Sequence, residues 1–462
     1  MHLSDIMLIF SMLQQKQTLT QQMQDKSNRI IEFKAGKAEK NFTEERLTSY
    51  TGLAVVLKYI EAQGIGKLFD GLFPTTRQNA TKFSTTQIML AVVLASISDV
   101  HRMSRIENFT CDPLVQQLLK LKEDIDQDTL TGRLKPLGQR GAFSLQEGLF
   151  RVTGKMHKKS NLSYITIDCD STVSTVYGNQ QGAAKGYNPH KLGANSYHSQ
   201  MCFCTEMKLI LNSWFRTGSA YTSNGICEFM KQTLASLPRR IRKIFFRADS
   251  GYFNGELFDL LENKQHNYLV KVKLKNLNRL MLTQEWMLIN EKESVCEFNY
   301  HAKGWSKSRT LRGIRILTGY KEVYYLGETT LEAEYEYFCY CSNLKNKDGK
   351  ALHELYKKRA ECENWIEQTK NQLHASQTLT NDFSTNDILW QLSVLGYNLS
   401  IMMRYEANSK IWKQEHLTFF RWFINVPGKV VKTARKVTVK MSRHYWYADQ
   451  WQDFEQRLSL AC

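Results

Sequence analysis

A mixed α/β fold assembled from several parts is predicted for this chain of 462 residues by three observations. The hydrophobic period is helical from about residue 43 to 156 and switches to two from about residue 162, the mark of strands. Between residues 164 and 274 the elements then follow as strand, strand, strand, helix, strand, helix, strand. From 285 to 345 only strand-like segments occur before helical spacing returns near 350. One hydrophobic core rarely outgrows about 250–300 residues, so a chain this long is expected to divide. Its 42% hydrophobic and 11% aromatic residues supply real cores and exclude a disordered chain.

Residues 1–42, rich in Gln and Lys, read as a flexible arm. Residues 43–160 read as a helical region, with Leu53, Val56, Leu57 and Ile60 at helix spacing and a second apolar series from Ile88. Asp128 or Thr129 is expected to cap a helix through Leu130 and Leu134. The first part of the core, 161–284, opens with the strand YITIDCD (164–170), and a polar, Gly-rich loop (178–196) follows. Strands YHSQMCFC (197–204) and LILNSWF (209–215) come next, then a helix through Phe229, Met230 and Leu234. Strand IFFRAD (244–249), helix NGELFDLLEN (254–263) and strand YLVKVKL (268–274) complete the series. That order is the order of a ribonuclease-H-like α/β core. Residues 285–346 read as an all-β insertion, 347–406 as the helical remainder of the core, and 407–462 as a basic C-terminal region.

Charge gives the first functional clue. Lys and Arg number 62 against 45 Asp and Glu, a formal net charge of +17. A polyanionic partner explains such a balance most simply, because each phosphate neutralised releases condensed counterions. The longest apolar run, Ile88 to Ile97, is shorter than the roughly 20 residues a bilayer requires, and the N-terminus lacks a basic leader, so a cytoplasmic location is expected. The ten cysteines contain no C-x-x-C; the pairs Cys202/Cys204 and Cys339/Cys341 fall on one face of a strand as small buried hydrophobes.

Acidic residues at strand ends are the feature that carries chemistry. Asp168 and Asp170 sit two apart on the first core strand, and Asp249 closes the strand IFFRAD before a Ser-Gly turn. Neighbouring carboxylates repel unless a cation or proton intervenes, and hard oxygen ligands suit Mg²⁺. On the helix expected over 350–375, Tyr356, Arg359, Glu363 and Lys370 fall within about 60° of arc at about 100° per residue. Such a stripe is poor core material and suits a surface that grips phosphates. Glu367, one turn beyond Glu363, reaches the same face.

The segments DST (170–172), RADSGYF (247–253) and Y-x-x-R-x-x-x-E-x-x-x-x-x-x-K (356–370) resemble the DDE transposases of bacterial insertion sequences, in particular the branch with a Tyr-Arg-Glu-Lys signature and a β insertion before the glutamate. The likeness runs from about 50 to 445. It implies that Asp170, Asp249 and Glu363 form the metal-binding triad and that Tyr356, Arg359 and Lys370 contact the DNA end. It further implies two Mg²⁺ ions per site, replaceable by Mn²⁺, which serve in-line cleavage and strand transfer. The partners implied are double-stranded DNA, as terminal inverted repeats and target, and other copies of the chain in a dimer or larger assembly. Asp168 matches no triad position. Two other readings stand beside this one, a ribonuclease-H-like nuclease that never joins strands and a retired, DNA-binding descendant of a transposase.

Two further groups are expected at the DNA. Lys271, Lys273 and Lys275 alternate with Val270, Val272 and Leu274, which gives one basic and one buried strand face. Trp305, in the basic loop KGWSKSR (303–309), is expected to stack on an unpaired base or else to pack in the core, with Trp286 its rival.

Overall fold

The computed structural model describes residues 43–74, 82–100, 102–189, 191–325, 328–377, 380–434 and 436–461. The arm expected over 1–42 lies outside the described residues. The account below concerns the unit Arg46–Cys462; of the preceding unit, Met1–Glu45, residues 43–45 are described.

A short strand, β1 (Leu47–Thr48), precedes seven helices: α1 (Leu53–Ala62), α2 (Ile65–Leu72), α3 (Thr85–Ile97), α4 (Ile106–Thr110), α5 (Pro113–Leu119), α6 (Gln127–Leu134) and α7 (Gly138–Ser160). Local chemistry sets their starts. Ser84 Oγ accepts from the Gln87 N–H at 3.1 Å while Gln87 Oε1 accepts from the Ser84 N–H at 2.9 Å, a reciprocal cap on α3. The cap of α6 is Asp126, whose carboxylate accepts from the Thr129 N–H at 2.7 Å, not Asp128 or Thr129. Leu130 and Leu134, four apart and so on one face, are both buried.

The strands form one large mixed sheet. They are β2 (Tyr164–Thr175), β3 (Ala184–Lys185), β4 (Asn195–Cys204), β5 (Leu209–Trp214), β6 (Lys243–Ala248), β7 (Asn267–Lys271), β8 (Met287–Leu288), β9 (Glu293–Tyr300), β10 (Arg309–Tyr325) and β11 (Glu328–Ser342). Among the described residues the order is β3-β4-β2-β6-β7-β11-β10-β9-β8, with β5 also on β4. Strand β4 lies between β2 and β5 and antiparallel to both, whereas β6 lies parallel to β2 and β7 parallel to β6. Helices α8 (Ile226–Ser236) and α9 (Gly255–Asn263) make the two crossovers that parallel strands require. After α10 (Leu277–Leu282), the β-rich stretch joins the same sheet, because β11 pairs antiparallel with β7, Tyr340 opposite Lys271.

Two strand readings change. The segments expected over 311–320 and 322–327 are, in their described residues, one strand, β10, whose register slips between Leu317 and Gly319; residues 326 and 327 lie outside the described residues. Strand β7 ends at Lys271, so Lys273 and Lys275 lie beyond it and do not share a strand face with Lys271. It is also an interior strand, paired with β6 and β11, rather than an edge protected by lysines.

The predicted helix over 350–375 is broken. Helix α11 (Gly349–Lys357) ends in a tight turn in which the Arg359 N–H bonds Tyr356 O at 2.9 Å; α12 (Ala360–Glu367) follows and widens into a π turn, Gln368–Gln372. Helix α13 (Phe383–Ala407) is buried on nearly every side and packs against α3 and α7, which wrap the N-terminal helices around it. Two short helices, α14 (Ser409–Trp412) and α15 (His416–Phe419), lead to the last elements. The basic stretch 428–443 is a hairpin, β12 (Gly428–Lys432) and β13 (Val437–Met441), that pairs with β1; α16 (Ala448–Ala461) closes the chain against α1. The nine described cysteines are free thiols, and Cys202, Cys204, Cys339 and Cys341 are buried in β4 and β11. Among the described residues no helix is long and apolar enough to cross a membrane.

Candidate active site

The parallel ladder of β2 and β6 places the two aspartates. Its last register pair is Cys169 opposite Ala248, so the next residues, Asp170 and Asp249, stand side by side where β6 ends, while Asp170 stays within β2, opposite Met201 of β4. Asp249 starts a single turn, Ser250–Tyr252, and its Oδ1 accepts from the Gly251 N–H at 3.0 Å. Gly251 is required there: a Cβ would lie 2.9 Å from Thr222 Cγ2 and 3.1 Å from Asp249 Oδ1. Thr222 also meets Ser171, hydroxyl to hydroxyl at 3.1 Å, so the loop before α8 borders the same place.

Arg359 reaches into this end of the sheet from the turn between α11 and α12. Its Nη2 lies 2.6 Å from Asp170 Oδ2 and donates to Cys169 O at 3.4 Å, with 6% of the side chain exposed. Burial raises the Asp170 carboxyl; Arg359 works against that rise and the nearby Asp249 adds to it, leaving Asp170 pushed up to about 6. One guanidinium therefore does not fully compensate this carboxylate. The Arg359 guanidinium, itself disfavoured by burial, is held in its charged form by Asp170. Lys370, on the π turn, donates to Val173 O at 3.3 Å further along β2, and its pKa is lowered by burial, with Asp170 and Glu367 opposing. Tyr356 is half-buried; its phenol is raised by burial, eased by Arg359, and raised again by Asp249, Asp170 and Glu363.

Of the sequence-predicted group, Asp170, Asp249, Tyr356, Arg359 and Lys370 thus gather where β6 ends beside the middle of β2. Glu363 stands at the flank, 68% exposed, with its Oε1 3.9 Å from Arg359 Nη1. Glu367 is engaged elsewhere, accepting from Asn371 at 3.3 Å and Gln372 at 3.2 Å. Asp168 is fully buried and forms a two-point ion pair with Arg247, 2.7 Å on each arm; the register partner Arg247 also donates to Leu355 O at 2.8 Å. Asp168, which matched no triad position, is thus enclosed and taken up by Arg247. Arg247 had no sequence signal beyond being a basic residue inside an apolar strand.

The expected DNA-contacting lysines and tryptophan are placed as follows. Lys273 and Lys275 are exposed, while Lys271 lies over the Phe338 ring at 5.4 Å. Trp305 is half-buried among Phe253, Phe258 and Tyr300, with ring centroids at 5.3, 5.9 and 6.0 Å. Its ring sits on Gly255, where a Cβ would come within 2.4 Å of Trp305 Cδ1, and the Arg309 guanidinium stacks over it at 5.1 Å. Trp286 packs on Tyr337 and under Arg315.

The donor chemistry of Asp170, Asp249 and Glu363 fits a hard divalent cation, which would supply the charge that Asp170 lacks. Among the described residues no three His, Cys, Asp or Glu side chains converge as a ready-made metal cage. Facing carboxylates rimmed by Arg and Lys, in a strongly basic chain, equip a protein for work on phosphodiesters. Residues 32–461 match the family model described as Transposase DDE domain group 1, and the chain belongs to that family. It is a DNA transposase whose chemistry is divalent-metal-dependent cleavage and transesterification of DNA strands.

Among solved structures the chain is similar to a piggyBac transposase synaptic complex with hairpin DNA, at 13% identity over 82% of this chain and 81% of that one, with a TM-score of 0.44. It is more distantly similar to a Mos1 transposase paired-end complex with left transposon end, at 9% identity over 41% and 58%, TM-score 0.18. A Mos1 mariner paired end complex with Mn matches at 10% identity over 51% and 70%, TM-score 0.16. No curated protein matches the chain in sequence.

Proposed function

We propose that Asp170, Asp249 and Glu363 are the catalytic carboxylates of this transposase and that they hold two Mg²⁺ ions, for which Mn²⁺ substitutes. The observation that carries the reading is the juxtaposition of Asp170 and Asp249 where the parallel pairing of β2 and β6 ends, with Arg359 on Asp170. The strand order, with β5, β4, β2, β6 and β7 side by side, supports a ribonuclease-H-like core, and the β-rich segment 285–346 is an extension of its sheet. Bound divalent cations would supply activation of the attacking water or 3′-hydroxyl and stabilisation of the leaving oxygen. Arg359 keeps Asp170 ionised and aimed, and Ser171 N–H fixes its other oxygen at 2.8 Å. Tyr356 and Lys370 flank the carboxylates as donors to the backbone of the DNA end, and exposed Lys273 and Lys275, with Lys271 behind them, neutralise phosphates beyond it. Trp305 acts as the pin that fixes the β-rich segment to α9 rather than as a stacking plane. The DNA partner is the pair of terminal inverted repeats and the target, brought together by two or more copies of the chain.

Joining of a pre-cut element end carrying a 3′-hydroxyl to target DNA in Mn²⁺ tests the reading. Wild type should give joined products, and Asp170→Ala, Asp249→Ala and Glu363→Ala should each reduce them at least about a hundredfold, while end binding persists. A Glu363→Ala protein that joins ends at the wild-type rate would remove Glu363 from the set. Hydrolysis without joining would make the protein a nuclease.

A further inference from the structure

The β10–β11 hairpin outruns the sheet that supports it. Strand β9 pairs β10 only as far as Ile316, and β7 pairs β11 only over Tyr340–Ser342. Beyond the slip at Leu317/Gly319, Tyr320 to Tyr324 and Thr329 to Ala333 pair with each other alone. A free two-stranded ribbon is marginal in water, and this one is strongly two-faced. The register puts Tyr320, Glu322 and Tyr324 on one face with Thr329, Leu331 and Ala333, whereas Lys321 and Glu332 face the other way. Tyr320, Tyr324 and Leu331 are 64%, 74% and 70% exposed. In a chain of net charge +17, residues 317–336 carry five carboxylates and one lysine. An acidic ribbon is repelled by DNA; its complement is a basic protein surface with an apolar floor.

This chain has such a surface. Between α1, β13 and α16 runs a groove of about 360 Å³ lined by Lys58, Lys436, Val439, Met441, Trp451 and Glu455. Strand β13 is the outer strand of its three-stranded sheet, and Lys432, Lys436 and Lys440 are exposed along that hairpin. The exposure of Tyr320, Tyr324 and Leu331 means that the ribbon does not occupy the groove of its own chain. We propose that the tyrosine face of the β10–β11 ribbon of one copy docks in the basic groove beside β13 of a second copy, a self-complementary arrangement in which each copy gives one ribbon and one groove. This rests on the reading that the transposase works with two or more copies on DNA, and it names the contact that joins them.

Charge exchange tests the proposal on the full chain, read by sedimentation velocity across a concentration series. One variant reverses the charge on the tyrosine face of the ribbon (Glu322→Lys) and another reverses the groove (Lys58→Glu, Lys436→Glu). Each alone should self-associate at least about tenfold more weakly than wild type, and an equimolar mixture should recover dimers, because each mismatched surface then meets its complement. Tyr320→Ser with Tyr324→Ser and Leu331→Ser should also give monomers, with an unchanged circular-dichroism melt since these side chains are exposed. Wild type that stays monomeric, either reversed variant dimerising like wild type, or a mixture that does not recover would overturn the docking. So would a ribbon variant that loses DNA affinity while keeping its dimer. Cutting of a single DNA end separates this inference from the enzymatic reading: monomeric variants that still nick leave the enzyme intact, and a ribbon-dependent dimer without nicking leaves the docking intact.

Discussion

Replacing Arg247 by Met removes the counter-charge of an aspartate that has no access to water. Asp168 would then keep only the Thr205 hydroxyl, at 2.9 Å, and the carbonyl of Leu355 would lose its 2.8 Å donor. Removing one partner of a buried, hydrogen-bonded ion pair costs about 3–5 kcal/mol. The loss should be local, because Arg247 ties β2 to β6 and both to α11, the helix that presents Tyr356. Amide hydrogen exchange is the suitable assay for a chain that need not unfold in two states. Opening free energies at Ile167, Phe246 and Leu352 are expected to fall by about 3–5 kcal/mol in Arg247→Met and by a similar amount in Asp168→Leu. The double variant should recover to within about 2 kcal/mol of wild type, since two apolar groups replace a matched pair. Single substitutions that cost less than about 1 kcal/mol, or a double substitution that costs the sum of both, would refute the assignment of this pair as the clamp beneath the site.

Asp387 is buried in α13 with Gln139 and Gln391 as partners, and burial pushes its carboxyl up to about 6. The folded state thus binds this proton more tightly than the unfolded state, so its contribution is present below about pH 4 and is lost as pH rises through 6, about 3 kcal/mol in all. Asp387→Asn should flatten that part of the stability profile in urea titrations at pH 4 and pH 8, and an unchanged profile would contradict it. Lys273→Ala with Lys275→Ala should lower the slope of log affinity against log salt by about 1.8, with little further change on adding Lys271→Ala, because Lys271 already lies over Phe338. A slope that stays at the wild-type value would take the phosphates elsewhere.

Much of this was legible in the sequence for identifiable reasons. Strands β2, β4, β5 and β6 alternate or run apolar between turn residues, and Asn254 and Asp249 announce the elements they cap. Asp170 and Asp249 stood out in the sequence as acids at the ends of apolar strand segments, whereas the Tyr-Arg-Glu-Lys set was singled out by its resemblance to a transposase signature. The break at Lys358–Arg359 was not legible, because every residue from Tyr356 to Cys362 is an ordinary helix resident; a long-range contact, Arg359 to Asp170, accompanies the turn. The π turn is similar: Gln372 is held by Glu415 and by the Leu417 N–H, residues more than forty positions away. The fate of Asp168 depended on Arg247, 79 residues on, and a period-two pattern cannot report that both faces of a strand are covered. Likewise Lys273 and Lys275 kept the alternation of a strand after the pairing had stopped.

The most direct measurement is Mg²⁺-dependent cleavage of the DNA that flanks the gene, comparing wild type with Asp249→Asn at equal end occupancy. The carboxylate at the end of β6 is replaced by an isosteric amide that still accepts the Gly251 N–H, so the turn should persist. The account predicts nicks at two repeated ends with wild type and a loss of at least about a hundredfold in the variant. Cleavage by Asp249→Asn at the wild-type rate would contradict the placement of the active site where β6 ends beside β2.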